Sequence, residues 1–312
     1  MESLKQGIIK TSQNSVQAAY TILLVGETGV GKSSVIEFIA NVLIGNNIGC
    51  YDFEILGRSN EQNGPTNQSR TTSARFYEFT SKNGIVVSKD VLNVEGCITL
   101  SQVRILDTPG LADIRGIEQD ELHKKSIATE IEKHIDYVTA VLIVANSTVA
   151  RLTPDTDYAL STLAAMFPRS LVNNTAFVFT RVPSPLSRNF PEDAIPGVFR
   201  DAIQFLLENP ISRQKVYPKL TSGRTPKEVW CEAAQASENE ALEILANLFD
   251  WLDSQVPQPT TEIVYLYNMS QSIEAKITNT LAQMDQAATK KARIDKLMAT
   301  LKDNSQVSSS PC

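Results

Sequence analysis

The sequence predicts a three-layer α/β fold, a mostly parallel central sheet with helices on both faces, followed by a C-terminal helical extension. Three observations lead there. Short apolar runs, "YTILLV" at 20–25, "TAVLIVANS" at 139–147 and "TAFVFT" at 175–180, have the length and composition of strands buried on both faces. Helical patterns lie between them, at about 118–135 and 155–167, and such alternation marks a covered parallel sheet. The first strand also runs straight into "GETGVGKS" and then into a helix, the order that a phosphate-binding loop requires.

The elements follow in order. Residues 1–19 form an N-terminal segment, and the main domain spans 20–268. After the glycine loop, Val35, Phe38, Ile39, Val42 and Leu43 recur at helical spacing. Residues 45–70 are polar and rich in Asn and Gly, which predicts a long mobile loop. "ARFYEF" and "GIVVSK" flank "TSKNG" and suggest a β-hairpin. "ITLSQVRILDTPG" is a strand running into a second loop. In "DELHKKSIATEIEKHI", Leu122, Ile127, Ile131 and Ile135 make the apolar face, which leaves His123 and His134 as surface residues. Seven of the fourteen prolines fall in 183–226, read as a lid or insertion around one amphipathic piece, "GVFRDAIQFLLENP". A helix at 237–255 has Leu242, Leu245, Phe249 and Leu252 on one face and Ser237 as its cap. From 269 to 303 the tail is an amphipathic helix, in which Ile277, Leu281, Met284 and Ala288 follow heptad spacing until Lys291 and Asp295 interrupt it. Residues 304–312 are expected to be disordered.

Composition excludes several classes of function. A net charge of −6 with no local basic stripe argues against a nucleic-acid partner. The four cysteines, Cys50, Cys97, Cys231 and Cys312, are too scattered for a metal site and read as reduced thiols. No apolar run is long enough to span a bilayer, and the tail is not notably basic. A soluble, cytoplasmic protein is the expectation.

The chemistry sits in the loops. "GETGVGKS" matches G-x-x-x-x-G-K-[ST], and Gly26, Thr28, Gly29, Val30, Gly31, Lys32, Ser33 and Ser34 form its cradle. The glycines let backbone N–H groups point at a β-phosphate, and the following helix adds partial positive charge. Lys32 reaches the β- and γ-phosphates, and the Ser33 hydroxyl goes to Mg2+. Asp107, at the end of a buried strand in "VRILDTPG", holds Mg2+ through water, and Gly110 offers its N–H to the γ-phosphate. In "NQSRTT", Thr71 is the expected threonine of the mobile loop that reaches Mg2+, with Thr72 as the alternative. Lys32, Thr71 and Gly110 are thus the catalytic candidates, and Ser33, Thr71 and Asp107 the metal ligands.

These boxes resemble the septin-like GTPases, and most closely the immunity-associated (avirulence-induced) nucleotide-binding family. "LLVGETGVGKSS", "SRTT", "LDTPGL" and "AVLIVANSTVARLTPDTDYALSTL" followed by "TAFVFTR" carry the resemblance over roughly residues 20–182, with Arg151 to Asp155 matching a family box. Beyond that, the chain looks like a fungal branch of such proteins. The resemblance implies a G-domain fold, GTP/GDP binding, Mg2+ dependence and a homodimer across the nucleotide face. It also implies slow hydrolysis, because Leu111 stands where many small GTPases carry the water-orienting glutamine. Arg70 and Arg115 are candidate arginine fingers across a dimer, against solvated loop charges as the alternative.

One box departs from the pattern. The base-reading [NT]-[KR]-x-D is here Thr180-Arg181-Val182-Pro183. Arg181 can stack on a purine, but Pro183 supplies no carboxylate for guanine. Three readings stay open: Glu192, Asp193 or a backbone carbonyl replaces the aspartate, specificity is relaxed, or the ligand is ATP. A non-catalytic scaffold holding a structural nucleotide is the rival from another class.

Overall fold

The computed structural model describes residues 19–46, 50–57, 73–80, 102–110, 117–148, 158, 160–162, 165, 167–182, 185–190, 195–211 and 227–307. In chain order these include β1 (Ala19–Gly26), α1 (Lys32–Ile44), β2 (Arg75–Phe79), β3 (Gln102–Asp107) and α2 (Ile117–His134). Next come β4 (Tyr137–Val138), β5 (Ala140–Asn146), α3 (Arg169–Val172), β6 (Thr175–Thr180) and β7 (Ile203–Leu207). α4 (Lys227–Asp253), β8 (Gln258–Pro259) and α5 (Thr261–Val307) complete the chain. The chain divides into two units, Met1–Val264 and Tyr265–Cys312.

In the first unit β1 shows how the sheet is built. Ile22 and Leu24 join one apolar cluster with Val35, Phe38 and Ile39 of α1 and Leu245, Phe249 and Leu252 of α4. Leu23 and Val25 point the other way, into a second cluster with Ile127 and Ile131 of α2. A strand that is apolar on both faces needs cover on both, and α1 with α4 on one side and α2 on the other supply it. The six-stranded sheet runs β2-β3-β1-β5-β6-β7. β3, β1, β5, β6 and β7 are parallel neighbours, and β2 lies antiparallel on β3 at the edge. The C-terminal ends of β1, β3, β5 and β6 therefore share one edge, and the loops of interest leave from it.

Several sequence expectations change. The piece "GVFRDAIQFLLENP" contains no helix of length; Ile203–Leu207 is a sheet strand, paired to β6 from Ala176↔Ile203 to Thr180↔Leu207. Its apolar residues bury by alternation, with Phe205 and Leu207 inward and Phe205 against Trp251 of α4. α4 begins ten residues before Ser237, so Ser237 is a buried mid-helix residue and not a cap. The polar run expected to be one long loop is held over 50–57: Tyr51 is buried, bonds through its hydroxyl to Glu238 at 2.7 Å, and meets Phe38 edge-on. β2 forms as expected, but the second hairpin strand, "GIVVSK", lies outside the described residues.

The second unit is the remainder of α5. The helix begins at Thr261 and continues through Val307, so 304–307 are helical where disorder was expected. Every residue from 272 to 300 is exposed. Among the described residues no helix is long and apolar enough to cross a membrane.

Candidate functional site

The end of β1 is pressed against its neighbour. A Cβ on Gly26 would sit 2.3 Å from the Val144 carbonyl oxygen of β5, and the residue has φ +146°, so only glycine fits. The chain then turns over 27–31 and enters α1 at Lys32. Lys32 is only 7% exposed and folds back inside this turn, donating from Nζ to the carbonyls of Gly26 at 3.0 Å and Glu27 at 2.9 Å. No side chain caps α1, so its first N–H groups and its positive dipole end face the same space.

β3 brings the second loop alongside. Leu24 of β1 is in register with Asp107, and Thr108 donates to the Leu24 carbonyl from both its N–H, at 3.2 Å, and its Oγ1, at 2.9 Å. Asp107 is fully buried, and the Ser33 hydroxyl donates to its Oδ2 across 3.5 Å. Gly110 lies flat on the phosphate loop: a Cβ there would meet Thr28 Oγ1 at 2.3 Å and Thr28 N at 2.7 Å. One small region thus collects backbone donors, a helix N-terminus, an ammonium, a hydroxyl and a carboxylate. Those parts fit a polyphosphate. The converging oxygens of Ser33 and Asp107 fit a hard cation such as Mg2+, which takes few protein ligands and draws the rest from water and phosphate. Among the described residues there is no cluster of three His, Cys, Asp or Glu that would suit a different metal.

The reading box sits beside this cradle. Thr180 ends β6 and is 5% exposed; its Oγ1 donates to the carbonyl of Val30 at 2.6 Å. Thr180 therefore braces the phosphate loop. Arg181 holds the left-handed φ of 61° and reaches over the loop, with Nη2 donating to the Gly29 carbonyl at 3.2 Å.

A model of the AIG1 family matches residues 20–193, more than half of the chain. The chain belongs to the AIG1 family. It is also similar to the "Translocase of chloroplast 125, chloroplastic" of Physcomitrium patens, at 24% identity over 230 residues, covering 68% of this chain and 17% of that protein. The chain thus spans about a sixth of that relative's length. Among solved structures, Toc33 from Arabidopsis thaliana in complex with Mg2+ and GMPPNP matches at 15% identity and a TM-score of 0.38, covering 74% of this chain and 85% of that one. The same protein in complex with GDP and Mg2+ matches at 16% and 0.38, covering 76% and 84%.

Within this AIG1-type domain, the structure brings together Gly26, Thr28, Lys32, Ser33, Asp107, Gly110, Thr180 and Arg181. Gly29, Val30, Gly31 and Ser34 lie on the same turn and first helical residues. Thr71, Thr72, Arg70, Arg115, Pro183, Glu192 and Asp193 lie outside the described residues.

Two positions that hold the backbone around this region are absent from the sequence reading of the site. Asn209, just past β7, donates from Nδ2 to the Ser34 carbonyl at 2.6 Å and ties that sheet edge to α1. His123 was assigned to the surface and is instead fully buried. Its Nδ1 lies 3.0 Å from the Gly110 carbonyl and its Nε2 lies 2.8 Å from Gln119 Nε2. A carbonyl only accepts, so Nδ1 carries the proton and donates, and Nε2 accepts from the Gln119 amide. Asp120 Oδ1 is 3.9 Å from the same Nδ1. The sequence held a signal for this burial: His123, Ile127 and Ile131 are spaced by four on one helix face. His134, in contrast, is half-exposed and stacks on Phe76.

Proposed function

We propose that this AIG1-family chain is a Mg2+-dependent guanine-nucleotide-binding protein that hydrolyses GTP slowly and couples nucleotide state to its loops and to dimerisation. The convergence of the Lys32 turn, the Ser33–Asp107 pair and Gly110 on Thr28 carries the proposal. Lys32 exchanges its two loop carbonyls for phosphate oxygens, keeping its charge compensated. Ser33 and Asp107 would hold the cation, which would supply neutralising charge to the β- and γ-phosphates. Gly110 presents its N–H toward the γ-phosphate, with its carbonyl anchored on His123.

Thr71 completes the set in this proposal. Arg75 of β2 pairs with Asp107 of β3, so the chain enters β2 at the cation end of the sheet. Thr71 is four residues upstream, within about 14 Å of chain at the extended limit of about 3.5 Å per residue. Arg181 stacks on the base. Besides Glu192 and Asp193, Glu208 is a candidate replacement for the missing carboxylate, because it follows Leu207, the strand partner of Thr180.

Calorimetric titration with GDP, GMPPNP and their adenine counterparts, all with Mg2+, tests the base. A guanine preference of about a hundredfold or more is the expected result, in line with a bidentate charge-assisted contact; equal affinities sink the guanine assignment. Pro183 is the observation that favours the second reading, an adenine nucleotide, and the same titration detects it. Lys32→Ala is expected to abolish binding of every nucleotide, and tight binding by that variant removes the site itself. Single-turnover phosphate release separates slow hydrolysis from a scaffold, which releases none.

A further inference from the structure

The exposed part of α5 carries an apolar seam. Leu266, Ile273, Ile277, Met284, Ile294 and Met298 are spaced by the alternating threes and fours of a heptad, with Ser270, Thr280, Ala287 and Lys291 at the intervening seam positions. Taking Ile277, Met284 and Met298 as the a positions, the d positions are Leu266, Ile273, Thr280, Ala287 and Ile294. Ile273, Ile277, Met284, Ile294 and Met298 are each about half exposed, far beyond what a lone solvated helix needs to display. From 266 to 298 the seam runs for nearly five heptads, about 50 Å at 1.5 Å per residue, which exceeds the three or four heptads that mark a coiled coil.

The flanking charges name the occupant. At the g positions 269, 276, 283, 290 and 297 the charged residues are Lys276 and Lys290, both basic. At the e positions 267, 274, 281, 288 and 295 they are Glu274 and Asp295, both acidic. In a parallel pair of identical helices, g faces e of the partner one heptad on, so Lys290 of each copy meets Asp295 of the other and no like charges face each other along the flanks; in the seam itself the two copies' Lys291 meet, at a cost in stability. In an antiparallel pair g faces g and e faces e, so every charged pair is like-signed. A single Lys291 at an a position adds a register mark of the kind that favours two strands.

We infer that α5 from Leu266 to Met298 is a parallel, in-register coiled coil with a second copy of this chain. This interface is made by residues of the second unit alone and forms without nucleotide. The polar positions Ser270, Thr280 and Lys291 make it a weak coil, sensitive to concentration.

Sedimentation of the full chain over a range of concentrations, stripped of nucleotide in EDTA, tests it. A concentration-dependent dimer is expected, and Ile277→Glu is expected to leave a monomer with the parent's thermal transition for the first unit. Lys290→Glu gives the orientation. It sets a second carboxylate opposite Asp295 in the parallel coil, which is expected to weaken the dimer about 3- to 10-fold. The double swap Lys290→Glu with Asp295→Lys is expected to restore it. A monomer at all concentrations overturns the inference, as does a dimer that survives Ile277→Glu. Tightening by Lys290→Glu overturns the parallel order. Binding of the monomer to anionic phospholipid vesicles, with no dimer in their absence, assigns the seam to a membrane surface and overturns it too.

Discussion

At the scale of single residues, His123 has the most specific consequence. Its Nδ1 proton satisfies the Gly110 carbonyl, and Gly110 cannot slide because Thr28 fills the space beside it. The Gly110 backbone is thus anchored at its carbonyl by a histidine on α2. His123→Phe removes the donor and leaves a buried carbonyl unsatisfied, a loss of about 1–3 kcal/mol. If the carbonyl positions the γ-phosphate donor, affinity for GMPPNP falls about tenfold more than affinity for GDP. His123→Asn places an amide near the same point and is expected to bring the ratio back to within about threefold of the parent. Calorimetry with both nucleotides reads this, and equal losses for the two reduce His123 to a packing role. The residue was legible only in part. Counting apolar positions puts Leu122 on the inner face, yet Leu122 is 59% exposed while His123 beside it is buried. A polar side chain buried by hydrogen bonds leaves no mark in a hydrophobic pattern. The strand, glycine turn and helix over Ala19–Ile44 were legible, because their signal is local in sequence: glycines, lysine and serine sit within eight residues between two apolar runs. The bracing of that loop was not legible, because its partners come from β6: Thr180 bonds to the Val30 carbonyl and Arg181 to the Gly29 carbonyl.

Among the elements, α4 is tied down by tyrosines from elsewhere. Tyr20 of β1 bonds to Asp253 at its C-terminus, and Tyr51 bonds to Glu238 near its middle. Burial, and then the neighbouring carboxylate, push both phenols well above their ordinary range. The sign follows directly. Both tyrosines keep their protons in the fold above pH 10, where the unfolded chain releases them, so stability falls as pH rises past about 10, by up to about 1.4 kcal/mol per pH unit for each. Below that, neither contributes any slope. Tyr51→Phe is expected to flatten the alkaline loss in thermal melts between pH 9 and 11, and an unchanged slope would mean that the pair does not titrate with folding. Strands β1, β5 and β6 were readable because they are apolar on both faces. β7 was not, since an edge strand alternates over only five residues and the prolines and glycine around it suggest a loop. The tail was readable as a helix, and its sequence carries two apolar steppings from Ile277: through Leu281 to Lys291 and Asp295, and through Thr280 and Ala287 to Ile294 and Met298.

At the scale of the whole molecule, both apolar clusters are made of residues up to Val264, all within the first unit. A chain ending at Val264 is therefore expected to keep the parent's thermal transition within a few degrees and its affinity for nucleotide within about twofold, since both clusters are retained. Differential scanning calorimetry and titration check both, and a loss of cooperative unfolding would show that the domain needs α5 to fold. The described stretch from Cys50 to Gly57 has a consequence for ligand affinity. Asn41 receives the Asp52 N–H at 2.7 Å and returns a bond to the Asp52 carbonyl at 3.0 Å, while Tyr51 and Leu56 enter the core. The backbone entropy of these residues is surrendered when the domain folds, at about 1–2 kcal/mol each. A ligand that engages this domain therefore does not have to order Cys50–Gly57, and none of its binding free energy is spent on that part of the polar run.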